Sequence, residues 1–329
     1  MIRSIVAFTS LMVLSLLFIW GGMHYHILQK KPVVTSLSTL DIKKGDTLDS
    51  VIRQLKAQHI AVNSLWFKLF AYWTHLDRML KVGEYVLNKG ATAGDILAQL
   101  KQGKTRQYSI TFPEGWSFKQ VLQAIHENPN LQHTLSGTEL AGVMEKVGSD
   151  QSHPEGLFFP DTYYFEKNST DLELLKRAHD KMQQLLASEW EKRDKQVPLD
   201  SPYQALILAS IIEKETAAAA ERKTIAGVFS RRLKKGMLLQ TDPTVIYGMG
   251  DDYQGNIRRS DLREPTPYNT YLNKGLPPTP IAMPGKAAIV AALHPADGDA
   301  LFFVARGNGL HAFSATYSTH EKYVELYQR

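Results

Sequence analysis

Cysteine is absent from the 329 residues, which excludes disulfides and thiolate metal sites without assigning a compartment. The histidines do not make up for it: His294, His311 and His320 lack H-x-x-x-H or comparable spacing, so no metal and no cofactor is expected. No phosphate-cradling P-loop and no G-x-S-x-G nucleophile motif occurs. Charge of one sign is also scarce, with 38 Lys and Arg against 33 Asp and Glu for a formal net charge of +5. That surplus suits anionic headgroups but is modest for nucleic acid, and no nucleic-acid motif accompanies it.

What is present is an ordinary globular composition, 43% hydrophobic and 22% charged, with one exceptional stretch. Ile5 to Met23 carries no charged side chain and as a helix would span about 28 Å, enough for a hydrocarbon core. Trp20 and Tyr25 stand near one end, as interfacial anchors do. Trp20-Gly-Gly-Met-His24 offers no small-x-small cleavage pair, so residues 1–28 read as an uncleaved transmembrane signal anchor with a cytoplasmic tip. Arg3 on one side and Lys30 with Lys31 on the other leave its orientation open.

Residues 29–38 form a short polar tether. A loose repeat follows: Gly45-x-Thr47 before Val51, Ile52 and Leu55, Gly90-x-Thr92 before Ile96, Leu97 and Leu100, and Gly115-x-Ser117 before Val121, Leu122 and Ile125. Each copy predicts a strand, a glycine turn, a capping hydroxyl and an amphipathic helix. Residues 39–105 are expected as a small α+β subdomain and 106–329 as a larger α+β domain. Within the latter, helices are expected at Asp171–Trp190, Pro202–Thr216 and Glu221–Lys235, and strands at Gln107–Phe112 and Ala300–Ala305. The alanines 217–220 either continue a helix or break it. The basic cluster Arg222, Lys223, Arg231, Arg232, Lys234 and Lys235 reads mostly as a solvated helix face with one or two residues recruited.

The most informative helix begins at Ser201-Pro-Tyr-Gln204, a capping-box pattern with proline at the first helical position. Leu208, Ile211, Ile212 and Glu215 then share one face, while Glu213 points nearly opposite; Leu206 lies on the Glu213 side, so the helix start can be buried all round. A carboxyl held among aliphatic side chains loses hydration of its charged form, which raises its pKa and suits a general acid. A helix-end acid bonded to an arginine or tyrosine would give the same pattern, and periodicity leaves both readings open.

The run Leu208-Ala-Ser-Ile-Ile-Glu-Lys-Glu-Thr216, with Glu221-Arg222, Ile225-Ala-Gly-Val-Phe229 and Leu239-Gln-Thr-Asp-Pro-Thr-Val-Ile-Tyr-Gly248, resembles the signature of the YceG-like family of endolytic murein transglycosylases. Further similarity lies at Pro154–Tyr163, Pro267–Tyr271, Gly275–Ile281 and Ala292–Pro295. The resemblance implies that Glu215 is the catalytic acid, that residues 39–105 are a LysM-like subdomain, and that the bulk of the chain lies outside the cytoplasmic membrane. The implied partners are peptidoglycan glycan strands and the membrane itself, with cell-wall synthases of the penicillin-binding type as candidates.

Around such an acid, Gln240, Asp242, Tyr247, Tyr268, Asn269, Tyr271 and Asp161 are candidate substrate contacts, since amides and hydroxyls bond sugars and tyrosine rings cover their apolar faces. The same residues also build turns and cores. Three functions follow: a membrane-anchored lytic transglycosylase that needs one acid; a muramidase with Asp242 or Asp161 as a second carboxylate about 5 to 9.5 Å away; or a wall-binding scaffold in which Glu215 is structural.

Overall fold

The computed structural model describes residues 2–29 and 31–328. The flanking charge Lys30 lies outside the described residues, as does the side chain of Arg3. Helices and strands are mixed, as an α+β chain requires: α1 (Ile2–Met23), β1 (Ser38–Ile42), α2 (Leu48–Ala57), α3 (Ser64–Trp73), β2 (Gly83–Leu87), α4 (Ala93–Gln102), β3 (Gln107–Thr111), α5 (Phe118–His126) and α6 (Leu140–Val147). They continue with β4 (Thr162–Glu166), α7 (Asp171–Glu191), α8 (Pro202–Glu215), α9 (Arg222–Lys234), α10 (Asp242–Met249), α11 (Lys286–Leu293), β5 (Phe302–Ala305), β6 (His311–Ser314) and α12 (Tyr317–Tyr327). The strands pair two by two, β1 with β2, β3 with β4 and β5 with β6.

Two compact units emerge: Met1–Tyr108 with Tyr164–Ser169, and Ser109–Tyr163 with Thr170–Arg329. In the first, every side chain from Ile5 to Trp20 is exposed along α1. The apolar segment Ile5–Leu28, of mean hydropathy 2.1, fits a single-pass membrane anchor. Beyond it, β1 and β2 pair antiparallel with Leu40 opposite Tyr85, and these two pack with Val51, Leu55, Phe67, Ile96 and Leu100 into the core.

The repeat explains why these helices start where they do. Thr47, Thr92 and Ser117 each accept a hydrogen bond from the backbone N–H three residues on, and the residue there answers with its own side chain, closing three capping boxes. Ahead of each cap, Gly45, Gly90 and Gly115 turn at φ of 91°, 89° and 77°, a region costly for any residue with a Cβ.

Residues 164–169 are tied to the first unit by charge. Glu84, 5% exposed, accepts from the Tyr108 hydroxyl at 2.6 Å, from Lys167 at 3.1 Å and from Arg106 at 3.4 Å. The Tyr108 bond foremost, with Lys167, holds its carboxyl below the ordinary range despite burial.

In the second unit the core is built on α8. Ala205 through Ile212 are all buried, so the helix is enclosed all round, and α11, α9, α10 and α7 pack against it. Phe118 stacks on Phe158 at 4.9 Å between ring centres beside this core. The alanine stretch resolves as a break: Thr216 is extended and its hydroxyl accepts from the N–H of Ala218 at 2.9 Å, so α8 stops at Glu215.

Glu84→Ala should lower the unfolding free energy of the detergent-solubilised chain by about 2–3 kcal/mol, because it strands the Tyr108 hydroxyl and the Lys167 ammonium together. Urea denaturation of both proteins checks this; an unchanged midpoint would mean that the cluster contributes nothing to the fold.

Candidate active site

Glu215 is the last residue of α8 and sits on the floor of a cavity of about 420 Å³ that Arg232, Gln240, Asp242, Tyr271, Phe302 and His311 also line. The residue is half-buried and lines the cavity. Burial pushes its pKa up to about 7; a hydrogen bond from Thr241 opposes the rise, the nearby Asp242 carboxylate adds to it, and His311 and Arg232 draw it down. At neutral pH the group is therefore divided between acid and base.

Thr241 was not legible as a site residue, although its position was: it precedes Asp242-Pro243 at the N-cap of α10. Its hydroxyl makes no capping bond and is turned to the Glu215 carboxylate instead. A cap hydroxyl is worth about 1 kcal/mol to a helix, so its diversion toward Glu215 marks the contact as one the fold sustains at a cost. The residue before it, Gln240, holds φ of 51°, a left-handed conformation rare outside glycine.

Glu213 confirms the wheel's separation of the two acids and corrects the contrast in burial. Its carboxylate accepts from the N–H of Gly285 at 3.0 Å and pairs with Arg222 at 3.5 Å, with only 6% of the side chain exposed. Burial raises its pKa as well, against those two partners. It holds the start of α11 in place, whereas Glu215 faces the cavity.

The basic cluster departs from a solvated face more than the charge pattern indicated. Arg232 is buried, donating to the carbonyls of Leu301 at 2.7 Å and Leu239 at 2.8 Å and to the Gln240 side chain at 3.3 Å, beneath the ring of Phe302. Arg231 donates to the carbonyls of Ala300 and Ala296, and Arg222 forms an ion pair with Glu213 at 3.5 Å. Two guanidinium groups thus staple loops and a third pairs with a carboxylate of α8, while Lys223, Lys234 and Lys235 stay exposed. The split follows chemistry, since a guanidinium fork can satisfy several carbonyls and an ammonium is more strongly hydrated.

The other candidates separate into groups. Gln240, Asp242 and Tyr271 line the cavity with Glu215, the Tyr271 hydroxyl donating to Asp242 at 2.6 Å. Tyr247 and Tyr268 line a second cavity of about 780 Å³, their rings edge to face at 4.8 Å. There the Tyr247 hydroxyl donates at 3.1 Å to Glu155, a carboxyl that burial pushes up to about 7 against bonds from the Phe118 N–H and Tyr247. Glu155 lies in the Pro154–Tyr163 segment that resembles the family, which is the one sign of it in the sequence.

Asn269 is fully buried, with its amide donating to the carbonyls of Leu262 and Glu264 and its oxygen accepting from the N–H of Tyr271. It builds the loop that carries Tyr271. Asp161 pairs with Lys181 and accepts from the N–H of Thr162 at 2.7 Å, and it does not line the cavity at Glu215.

A third cavity, of about 530 Å³, shares Glu215 with the first and Gly115, Gln120 and Lys214 with the second. The three are therefore neighbours that share lining residues, with Glu215 common to two of them.

Two outcomes test the electrostatics. Because the folded state raises Glu215 from 4.5 to about 7, it binds a proton more tightly than the unfolded chain, and that stabilisation is lost as pH climbs through this window. Glu215→Gln should therefore melt above the wild type at pH 8, by an amount equivalent to ~1–3 kcal/mol, with the gap closing toward pH 4. Thr241→Val removes the bond that holds the acid down, so the midpoint of the pH dependence should move upward. Calorimetric pH series on the three proteins decide both; a wild type that outlasts Glu215→Gln at pH 8 rules out the raised pKa.

The chain is similar to known proteins over most of its length. The endolytic murein transglycosylase of Bacillus subtilis is 32% identical over 331 residues, covering 94% of this chain and 91% of its own length. That of Streptococcus pneumoniae strain R6 is 29% identical over 303 residues, and the match spans 54% of its length. The 2.6 Å crystal structure of the YceG-like protein lmo1499 from Listeria monocytogenes superposes with a TM-score of 0.56 at 30% identity, over 88% of this chain and 99% of that one. A sequence profile of the YceG-like family matches residues 40–326, from the first strand to the last helix, and the chain belongs to that family.

Proposed function

We propose that this chain is an endolytic lytic transglycosylase that cuts the β-1,4 bond between N-acetylmuramic acid and N-acetylglucosamine in nascent peptidoglycan, leaving 1,6-anhydro ends and so terminating strand growth. The observation that carries the reading is Glu215, an acid brought to about 7 on the floor of a cleft. The name shared by the curated relatives supports it.

The chemistry needs one group acting twice. Protonated Glu215 gives its proton to the glycosidic oxygen, and the N-acetylglucosamine side departs as that C–O bond breaks. The resulting carboxylate then takes the proton of the muramoyl C6 hydroxyl while that oxygen bonds to C1, which returns Glu215 to its acid form with no water consumed. A pKa near the operating pH serves both halves. Thr241 fixes the carboxylate between them.

Gln240, Asp242 and Tyr271 are assigned to sugar contacts at the point of cleavage, and Tyr247 with Tyr268 to a more distant part of the strand. That the three cavities adjoin one another supports a polymer that extends beyond Glu215 on more than one side and is cut internally. Asp242 shares the cavity and is the remaining candidate for the second carboxylate of a muramidase, but it is engaged by the Tyr271 hydroxyl. Residues 39–105 are assigned the LysM-like role, supported by their capped strand-turn-helix units. The substrate assigns residues 39–329 to the outer side of the cytoplasmic membrane, among the cell-wall synthases. There an anchor limits the reach of the acid along a growing strand.

The full chain in detergent, incubated with purified peptidoglycan, should release anhydro ends detectable by mass spectrometry, and Glu215→Gln should slow release by about 10²- to 10⁴-fold. Reducing ends would establish hydrolysis instead, and equal cleavage by the variant would remove Glu215 from the mechanism.

A further inference from the structure

Helix α3 inverts the pattern of a surface helix. Its inward side is filled by Trp66, Phe67 and Ala71, and its exposed residues are Leu65, Leu69, Tyr72 and Trp73, at 62%, 42%, 52% and 70%. Their i, i+4, i+7, i+8 spacing draws them into one stripe. Lys68, the only charged residue of the helix, is engaged in an ion pair with Asp49. Just past the helix, Met79 is 51% exposed. A helix bathed in water carries polar groups on such a face.

The position of α3 along α1 gives the stripe a meaning. The Trp66 ring lies 6.0 Å from that of Phe18 and 6.1 Å from that of His26, and a Cβ on Gly22 would overlap it. These three residues belong to the apolar segment Ile5–Leu28, within its last ten or so positions. Ten helical residues rise about 15 Å, so α3 lies alongside the final part of the apolar segment and not beyond its end. If α1 spans a bilayer, α3 is held at the boundary between headgroups and acyl chains. That depth favours Trp, Tyr and Leu, and the exposed Arg78 and Lys81 that follow suit anionic headgroups.

We propose that α3 is an interfacial helix that embeds Leu65, Leu69, Tyr72 and Trp73 in the same bilayer that holds α1, giving the first unit a second attachment to the lipid surface. The inference depends on α1 as the membrane span and is independent of the chemistry at Glu215. Its occupant is lipid because the stripe lies on a helix that packs, through Trp66, directly against the anchor. Two attachments fix how the first unit is turned about the membrane normal, which a single helix leaves free.

The absence of cysteine makes the test direct, since a single introduced thiol takes a nitroxide label without background. Full-length Leu69→Cys, Trp73→Cys and Lys56→Cys, the last on an exposed position of α2, are labelled and reconstituted into phosphatidylethanolamine–phosphatidylglycerol vesicles. Collision with oxygen, which concentrates in hydrocarbon, is compared with collision with a water-borne nickel chelate. Labels at 69 and 73 should show an oxygen-to-nickel ratio several-fold above that at 56. Equal ratios would put the stripe in water and overturn the proposal. Spin–spin broadening that unlabelled protein dilutes away would show a second copy covering the stripe, and would overturn it equally.

Discussion

The site depends on one constraint: a helix enclosed on every side ends in a carboxyl. Because α8 is enclosed from Ala205 to Ile212, its last residue cannot swing into solvent, and Glu215 stays where hydration of its charge is poor. Opposing that are the Thr241 hydroxyl first and then His311 and Arg232, the last already committed to backbone carbonyls. Burial outweighs them. The acid consequently rests near neutrality, where one group can give and take a proton in turn.

The surroundings keep that balance from drifting. Arg232 ties α9 to β5 and to the stretch before α10, so the backbone that presents Gln240, Thr241 and Asp242 is fixed to the same framework as the acid. The break after Glu215 matters as much, because a helix continued through the alanines would have closed the end of α8 over the carboxyl. Glu213, two residues earlier and turned away, anchors the start of α11 through Gly285. Neighbouring acids on one helix thus divide into a chemical and a structural role by face alone.

The first unit solves a different problem with simpler means. Three copies of one local device, a left-handed glycine followed by a hydroxyl cap, start its two repeat helices and the first helix of the second unit. The buried Glu84 then gathers Tyr108, Arg106 and Lys167 around one charge and draws Tyr164–Ser169 out of sequence order into that unit. A buried carboxylate with three donors is tolerated here because its hydrogen-bonding capacity is filled.

Sequence by itself determined what is local. The capped helices, the apolar run of α1 and the face that carries Glu215 follow from periodicity and turn chemistry, which act over a few residues. The family motifs around Glu215 were equally legible, because they are short continuous strings. Tertiary structure decided the rest: that Thr241 forgoes capping to reach Glu215, that Tyr271 shares its cavity while Tyr247 lines another, and that Asn269 has its amide consumed by a loop. It also decided that three arginines turn inward and that Glu155 is a second acid near neutrality. Each of these depends on which distant segments meet, and burial of a charge is a property of that meeting, not of the residue or its neighbours in the chain.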